Sequence, residues 1–271
     1  MDFKFSDKKI WIMGIINMTS DSFYDASRKS NLKEVVKLAE TMVKEGADIL
    51  DIGAESSRPG SLPISEETEI DRLKDIVPEL TKRFSIPISI DTYKPKVAEY
   101  VLDGGAAIIN DITGLKEFPE TASIVARFNA GMVLMHMQGT PQTMQENPFY
   151  EDLIFEVKCF LKDSANNAIR AGVKSDKIAL DPGIGFGKTV EHNLQIIREL
   201  DAFETLNHPI MLGVSRKSFI GKTLNLSVED RLEGSLAAAV LGLQKGARIF
   251  RVHDVKETVK AISAAKNILN I

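Results

Sequence analysis

The sequence predicts an α/β fold, a single-domain (β/α)8 TIM barrel over residues 1–271, on three observations. First, four helical patterns end in glycine and pass straight into a short apolar run: KEGADILDIG (44–53), DGGAAIIND (103–111), NAGMVLMHM (129–137) and QKGARIFRVHD (244–254). Glycine there permits the left-handed helix cap, and an immediate β-rich run marks a helix-to-strand junction. Second, with the remaining junctions the chain divides into eight units of roughly 34 residues, the scale of a strand plus its helix in such barrels. Third, no G-x-G-x-x-G follows the first strand and no shift of composition marks a second domain, which disfavours the doubly wound open sheet.

Taken in order, the first strand is the apolar run 10–16, and a helical period follows near 31–45. Lys8-Lys9 and the apolar run could pass for a short signal peptide, but no small-residue cleavage site follows, so strand is the better reading. The second strand lies in 44–53 and a helical pattern covers 65–83. Proline rather than glycine marks the next junction, SIPISID (85–91), before a helix near 95–103. Strands within 103–111 and 129–137 flank a helix near 119–129. The stretch 137–150, MQGTPQTMQENPFY, has no clear period, and loops of that length in compact domains are commonly functional. A helix near 151–171 leads through a charged turn to the sixth strand in AGVKSDKIALD (171–181). The seventh strand lies in HPIMLGV (208–214), after a helix near 190–202. Helices near 229–245 and 255–269 flank the eighth strand.

Composition narrows the function classes. The net charge of -4, from 34 basic and 38 acidic residues, argues against a nucleic-acid surface or a polybasic membrane anchor. No apolar run approaches the roughly 20 residues of a membrane span. Cys159 is the only cysteine, which excludes an intrachain disulfide and a cysteine metal cluster; its apolar neighbours Phe155, Phe160 and Leu161 predict a packed side chain. The expectation is a cytoplasmic protein with no membrane and no nucleic-acid partner.

The strand ends carry the chemistry. Successive strand residues face opposite sides, so Ser89 and Asp91 oppose Ile88 and Ile90, Asp181 opposes Leu180, and Arg251 and His253 oppose Phe250 and Val252. Asn17, Asn110, His136 and Ser215-Arg216-Lys217 end four other strands. In these barrels the active site is built at the C-terminal strand ends. Asp91, Asn110 and Asp181 can hydrogen-bond a flat heterocycle with amino and oxo edges, while Lys217, Arg251 and His253 supply positive charge for an anionic group. No Ser-His-Asp arrangement is legible, and no histidine pair has metal-ligand spacing. DPGIGFGKT (181–189) ends like a phosphate loop, but Pro182 stands where glycine is required; its glycines are expected to let backbone pass close to a ligand held by Asp181. His192 and His208 are expected to have surface roles.

Eight stretches in chain order resemble the dihydropteroate synthase family: GIINMTSDSF (14–23), ESSRPG (55–60), IDT (90–92), INDITG (109–114), MHMQGTPQTMQENP (135–148), LDPGIGFGK (180–188), VSRKSF (214–219) and RVHD (251–254). The resemblance implies condensation of 6-hydroxymethyl-7,8-dihydropterin diphosphate with p-aminobenzoate, with Mg2+ present and diphosphate released. It implies that Asp91, Asn110, Asp181 and Lys217 hold the pterin, that Ser57, Arg251 and His253 take the diphosphate side, and that Asn17 helps ligate Mg2+, for which a hard amide oxygen is suited. Phe23, Pro59, Lys217 and Ser218 would line the aminobenzoate pocket, and Asp21, Asp25 and Arg58 would brace two loops that close over it. Phe23 among polar residues then makes sense as one wall of a pocket completed by closure. Cations at the leaving group, from Arg251, His253, Arg58 and the metal, favour a dissociative, SN1-like displacement.

The chain departs from that pattern in its first loop. Ser20 stands where the family commonly has proline, and Asp25-Ala26-Ser27-Arg28-Lys29-Ser30 where Gly-Gly commonly follows the aspartate; Ser57 replaces a common threonine. Two rivals share the resemblance: a corrinoid-linked pterin methyltransferase, and a non-catalytic pterin carrier. SRKSF and the Arg251/His253 end speak against the first, and complete closing loops against the second. The apolar helix GSLAAAVLGL (234–243) suggests a homodimer surface.

Overall fold

The computed structural model describes residues 3–5, 9–18 and 28–271, without the side chains of 28–30. Eight parallel strands close on themselves in sequence order. They are β1 (Trp11–Asn17), β2 (Ile49–Gly53), β3 (Ile88–Asp91), β4 (Ile108–Asp111), β5 (Gly131–Met135), β6 (Ile178–Asp181), β7 (Ile210–Leu212) and β8 (Ala247–Val252). β8 returns to β1 with Ile12 opposite Phe250 and Met13 opposite Arg251. The helices between them are α1 (Arg28–Glu45), α2 (Glu66–Leu73), α3 (Ile76–Arg83), α4 (Pro95–Asp103), α5 (Thr121–Arg127), α6 (Leu153–Arg170), α7 (Val190–Arg198), α8 (Ser218–Leu224), α9 (Leu232–Gln244) and α10 (Val255–Leu269).

Local chemistry explains the boundaries. The side chain of Ser65 caps α2 by accepting from Thr68 N (3.2 Å), Pro95 opens α4 where no N–H is needed, and Thr189 and His192 form a reciprocal capping box on α7. The pattern at 65–83 is two helices rather than one. Pro78 has no N–H to give to Lys74 O, and its ring crowds that carbonyl, so the chain restarts after Asp75. The short α8 is a further departure, since no long period announces seven residues.

Cys159 corrects a sequence expectation: it is exposed. The buried face of α6 runs Leu153, Val157, Leu161, Ala165 and Ala168, and Cys159 lies two positions beyond Val157, about 200° round the helix and so on its opposite side. Phe155 lies on the same outer side, 63% exposed.

The main core packs between strands and helices, with Val35, Ala39 and Met42 of α1 among its members. A second cluster fills the barrel's lower half, from Met13, Ile49, Ile108, Val133, Met211 and Ile249. Phe3 and Phe5, edge to face at 4.7 Å, join it, so aromatic side chains complete the apolar lower layer. Toward the C-terminal ends the same inward positions become polar: Asp51, Ser89, Asn110 and Asp181 are all buried. The apolar lower half therefore supports a polar upper end.

Candidate active site

A cavity of about 800 Å3 opens at that polar end. It gathers the predicted pterin residues Asp91, Asn110, Asp181 and Lys217 with the predicted anion residues Arg251, His253 and Ser57. Arg58, Pro59 and Ser218 line it too, as does Asn17. Asp21, Phe23 and Asp25 lie outside the described residues, as do Ser20, Ala26 and Ser27. His136 ends β5 but points elsewhere: its Nδ1 meets Lys188 Nζ at 2.9 Å in a buried pair.

Strand register sets the wall. Asp91 is level with Asn110 on β4, and Asp181 with Met135 on β5. Asp181 Oδ1 accepts from Gly183 N at 2.7 Å, which fixes the carboxylate in the loop after β6. Burial pushes the Asp91 and Asp181 carboxyls above their ordinary range, and the Arg251 guanidinium pulls Asp91 back toward ionisation. Arg251 reaches across the barrel, its Nε donating to Asp51 Oδ2 at 2.6 Å and its Nη2 to Asp91 Oδ2 at 2.9 Å.

Lys217 lies beyond β7, at the N-cap of α8. Its Nζ sits 4.2 Å from the Phe186 ring centroid, and burial brings its pKa down to about 8. The preceding residue turns the chain: Arg216 holds φ 54°, and its guanidinium grips Asp254 by two bonds of 2.7 and 2.8 Å. His253 shares a contact of 3.1 Å between its Nδ1 and Ser215 Oγ. Crowding at the barrel mouth, and then Arg251, hold its pKa below the ordinary imidazole value.

Three loops frame the cavity. The loop 54–65 is tied at both ends to one buried ammonium: Lys94 Nζ pairs with Glu55, donates to Ile64 O at 2.7 Å and meets Glu69 Oε2 at 2.8 Å. Its exposed tip touches the loop after β5, Gly60 N donating to Pro141 O at 2.9 Å. Met144 and Phe186 bring apolar surface to the cavity from the loops after β5 and β6. The glycines of DPGIGFGK serve two neighbours. Gly185 faces the cavity, while a Cβ on Gly183 (φ +73°) would fall 1.9 Å from His136 O and one on Gly187 (φ +64°) 2.4 Å from Gln138 O. At Gly183 and Gly187 backbone passes close to backbone.

Sequence reading missed Asp51 and Phe186, and named Ser215 only as part of a strand end. Parity along β2 opposes Asp51 and Gly53 to Leu50 and Ile52, so Asp51 carried a signal; Phe186 carried none beyond its place in a glycine-rich loop.

Among the described residues no three His, Cys, Asp or Glu side chains could hold a metal. Asn17 offers one oxygen: its Oδ1 lies 3.2 Å from where a Cβ on Gly53 would begin, and the Asp91 carboxylate lies 3.8 Å from the same point. One protein oxygen completed by phosphate oxygens fits Mg2+, which is commonly held that way. No described helix is long and apolar enough to cross a membrane.

The pterin binding enzyme family matches residues 13–253. A dihydropteroate synthase of Clostridium beijerinckii is 46% identical over 255 residues, 94% of this chain and 92% of that protein. The Yersinia pestis dihydropteroate synthase in complex with a sulfonamide drug superposes with a TM-score of 0.92 at 39% identity, covering 98% of this chain and 97% of that one. The Xanthomonas albilineans dihydropteroate synthase with 4-aminobenzoic acid gives 0.89 at 35% identity, covering 98% and 96%. The chain belongs to the pterin binding enzyme family and, within it, to the dihydropteroate synthases, transferases of folate synthesis.

Proposed function

We propose that this barrel, working as one pterin-binding domain, joins p-aminobenzoate to 6-hydroxymethyl-7,8-dihydropterin diphosphate through the residues lining its cavity. One observation carries the assignment: a single cavity sets the acceptors Asp91, Asn110 and Asp181 beside the cations Arg251 and Lys217. A pterin edge rich in N–H groups suits the first set and a diphosphate the second. Pro59 and Ser218 stand at the mouth beside Lys217, where the aminobenzoate would enter; the relative from Xanthomonas albilineans was solved with that compound. Asp21 and Phe23 belong to the same proposal on the sequence alone.

An arylamine is neutral near pH 7, so no general base is needed to make it a nucleophile. The difficult step is breaking the bond between the pterin methylene carbon and the diphosphate oxygen, whose electron pair leaves with diphosphate. Arg251 and Arg58 offset the developing charge, and His253 and Ser57 offer hydrogen bonds to it. The electron-rich pterin shares the positive charge left on carbon, which supports a dissociative course. The amine lone pair then forms the C–N bond and the nitrogen releases its proton. Mg2+, held by Asn17 and the diphosphate, would supply further charge neutralisation.

The relatives' shared activity favours this reading over a methyltransferase or a carrier. A homodimer belongs to the proposal, supported by the apolar groove between α7, α8 and α9 and the half-exposed Leu241 on it. The single cysteine and the charge balance support a cytoplasmic setting. Calorimetry tests the site. Arg251→Ala removes a charge-assisted hydrogen bond to the diphosphate, so it should weaken pterin diphosphate by at least about tenfold. The phosphate-free pterin should stay within about threefold of the parent. Equal losses for both ligands would make Arg251 structural.

A further inference from the structure

Asp51 lies below the ligand-facing groups, fully buried in the middle of β2 and level with Ile15 on β1 and Ser89 on β3. Three donors converge on its carboxylate. Ser89 Oγ donates to Oδ1 at 2.6 Å, while Asn110 Nδ2 at 3.2 Å and Arg251 Nε at 2.6 Å both donate to Oδ2. A buried carboxylate in a barrel interior contributes less to folding than a packed apolar side chain of similar volume commonly does. Its presence calls for another reason.

The donor and acceptor inventory supplies one. A carboxamide has one donating and one accepting end. Asp51 takes the donating end of Asn110, so the amide oxygen is turned away from it. That oxygen is buried and has no hydrogen-bond partner among the described residues, although Asn110 lines the cavity. A buried acceptor left unmade is costly, and it is the group a ligand N–H would satisfy. The guanidinium is handled alike: Asp51 holds its inner nitrogen Nε, and Asp91 meets the terminal nitrogen Nη2. One carboxylate therefore fixes a group from each end of the site.

We infer that Asp51 is a positioning residue for this reaction, locking the Asn110 amide with its oxygen presented to the pterin and holding Arg251 in place for the diphosphate. The inference rests on the pterin reading proposed above. Asp51 touches neither substrate; it acts through two residues that do.

A double-mutant cycle on the full chain tests it, with phosphate-free 6-hydroxymethyl-7,8-dihydropterin as the probe in calorimetry. Asp51→Ala and Asn110→Ala should each weaken binding by about tenfold, and the double variant should bind no more than about threefold worse than Asn110→Ala alone, because the two losses are one. Asp51→Asn keeps an oxygen where Nδ2 and Nε point, so it should stay within about fivefold of the parent. A merely structural Asp51 would give losses that multiply. Multiplied losses, or a loss beyond about fivefold in Asp51→Asn, overturn the inference. Should Asp51→Ala fail to fold, Asp51→Asn decides alone by the same limit. A parent protein that takes no pterin would overturn the pterin reading itself, and this inference with it.

Discussion

At the scale of single residues, the site is a set of side chains whose charge is managed by burial. Lys217 shows the consequence for activity. Its ammonium is held among Phe186, Asp181 and Arg251, and burial lowers its pKa to about 8, so the charged form is complete well below that value and is lost as pH rises through it. If the charged form binds the pterin, kcat/KM for pterin diphosphate should be level near pH 7 and fall above about pH 8. Lys217→Arg should bind less well yet lose that alkaline fall, because a guanidinium stays charged. A pH profile unchanged in shape by Lys217→Arg would show that another group titrates there. Much at this scale was legible because strand parity sorts inward from outward. Asp91, Asp181 and Arg251 were found that way, on apolar strands where a charge has few other reasons to exist. Asp51 obeys the same parity but sits mid-strand, and attention to strand ends passes over it. The contact of His253 with Ser215 was not legible at all, since it joins the ends of two strands only in three dimensions.

Elements and their loops set how firmly those side chains are held. The loop after β6 is bound to the loop after β5 by Lys188, whose Nζ meets His136 Nδ1 at 2.9 Å, and by Tyr150 OH, which donates to Gly187 O at 2.8 Å. Gly183 is the tightest point, with positive φ and no room for a Cβ against His136 O. Gly183→Ala should cost roughly 2–5 kcal/mol of stability, strain and steric displacement together. It should also weaken pterin binding, because Gly183 N is the donor that holds Asp181. Chemical denaturation and calorimetry on the variant check both; an unchanged unfolding midpoint contradicts the close approach. Strand and helix order was readable from glycine junctions and apolar period. The restart at Pro78 was readable in principle from proline chemistry, but a continuous helical period across 65–83 concealed it. The seven residues of α8 and the Lys94 anchor of the loop 54–65 were not readable, because a short helix has little period and a buried ammonium declares its partners only in three dimensions.

For the whole molecule, the barrel divides its work along its axis. The lower half is packed by Met13, Ile49, Val133 and Met211 with Phe3 and Phe5 alongside, which leaves the upper end to carry charges that contribute nothing to packing. Contacts such as Gly60 N to Pro141 O and Gln145 Nε2 to Gly185 O then join the loops after β2, β5 and β6 around the mouth. The fold class was the most legible level of all, since eight strand-and-helix units in one chain leave few architectures. The central claim is that this one cavity binds both substrates and couples departure of diphosphate to attack by the amine. Pyrophosphate release is the most direct test, measured with protein, Mg2+ and 6-hydroxymethyl-7,8-dihydropterin diphosphate before and after adding p-aminobenzoate. Such coupling predicts that pyrophosphate release becomes many times faster once p-aminobenzoate is present, mole for mole with 7,8-dihydropteroate. No release, or release at the same rate without p-aminobenzoate, would contradict it.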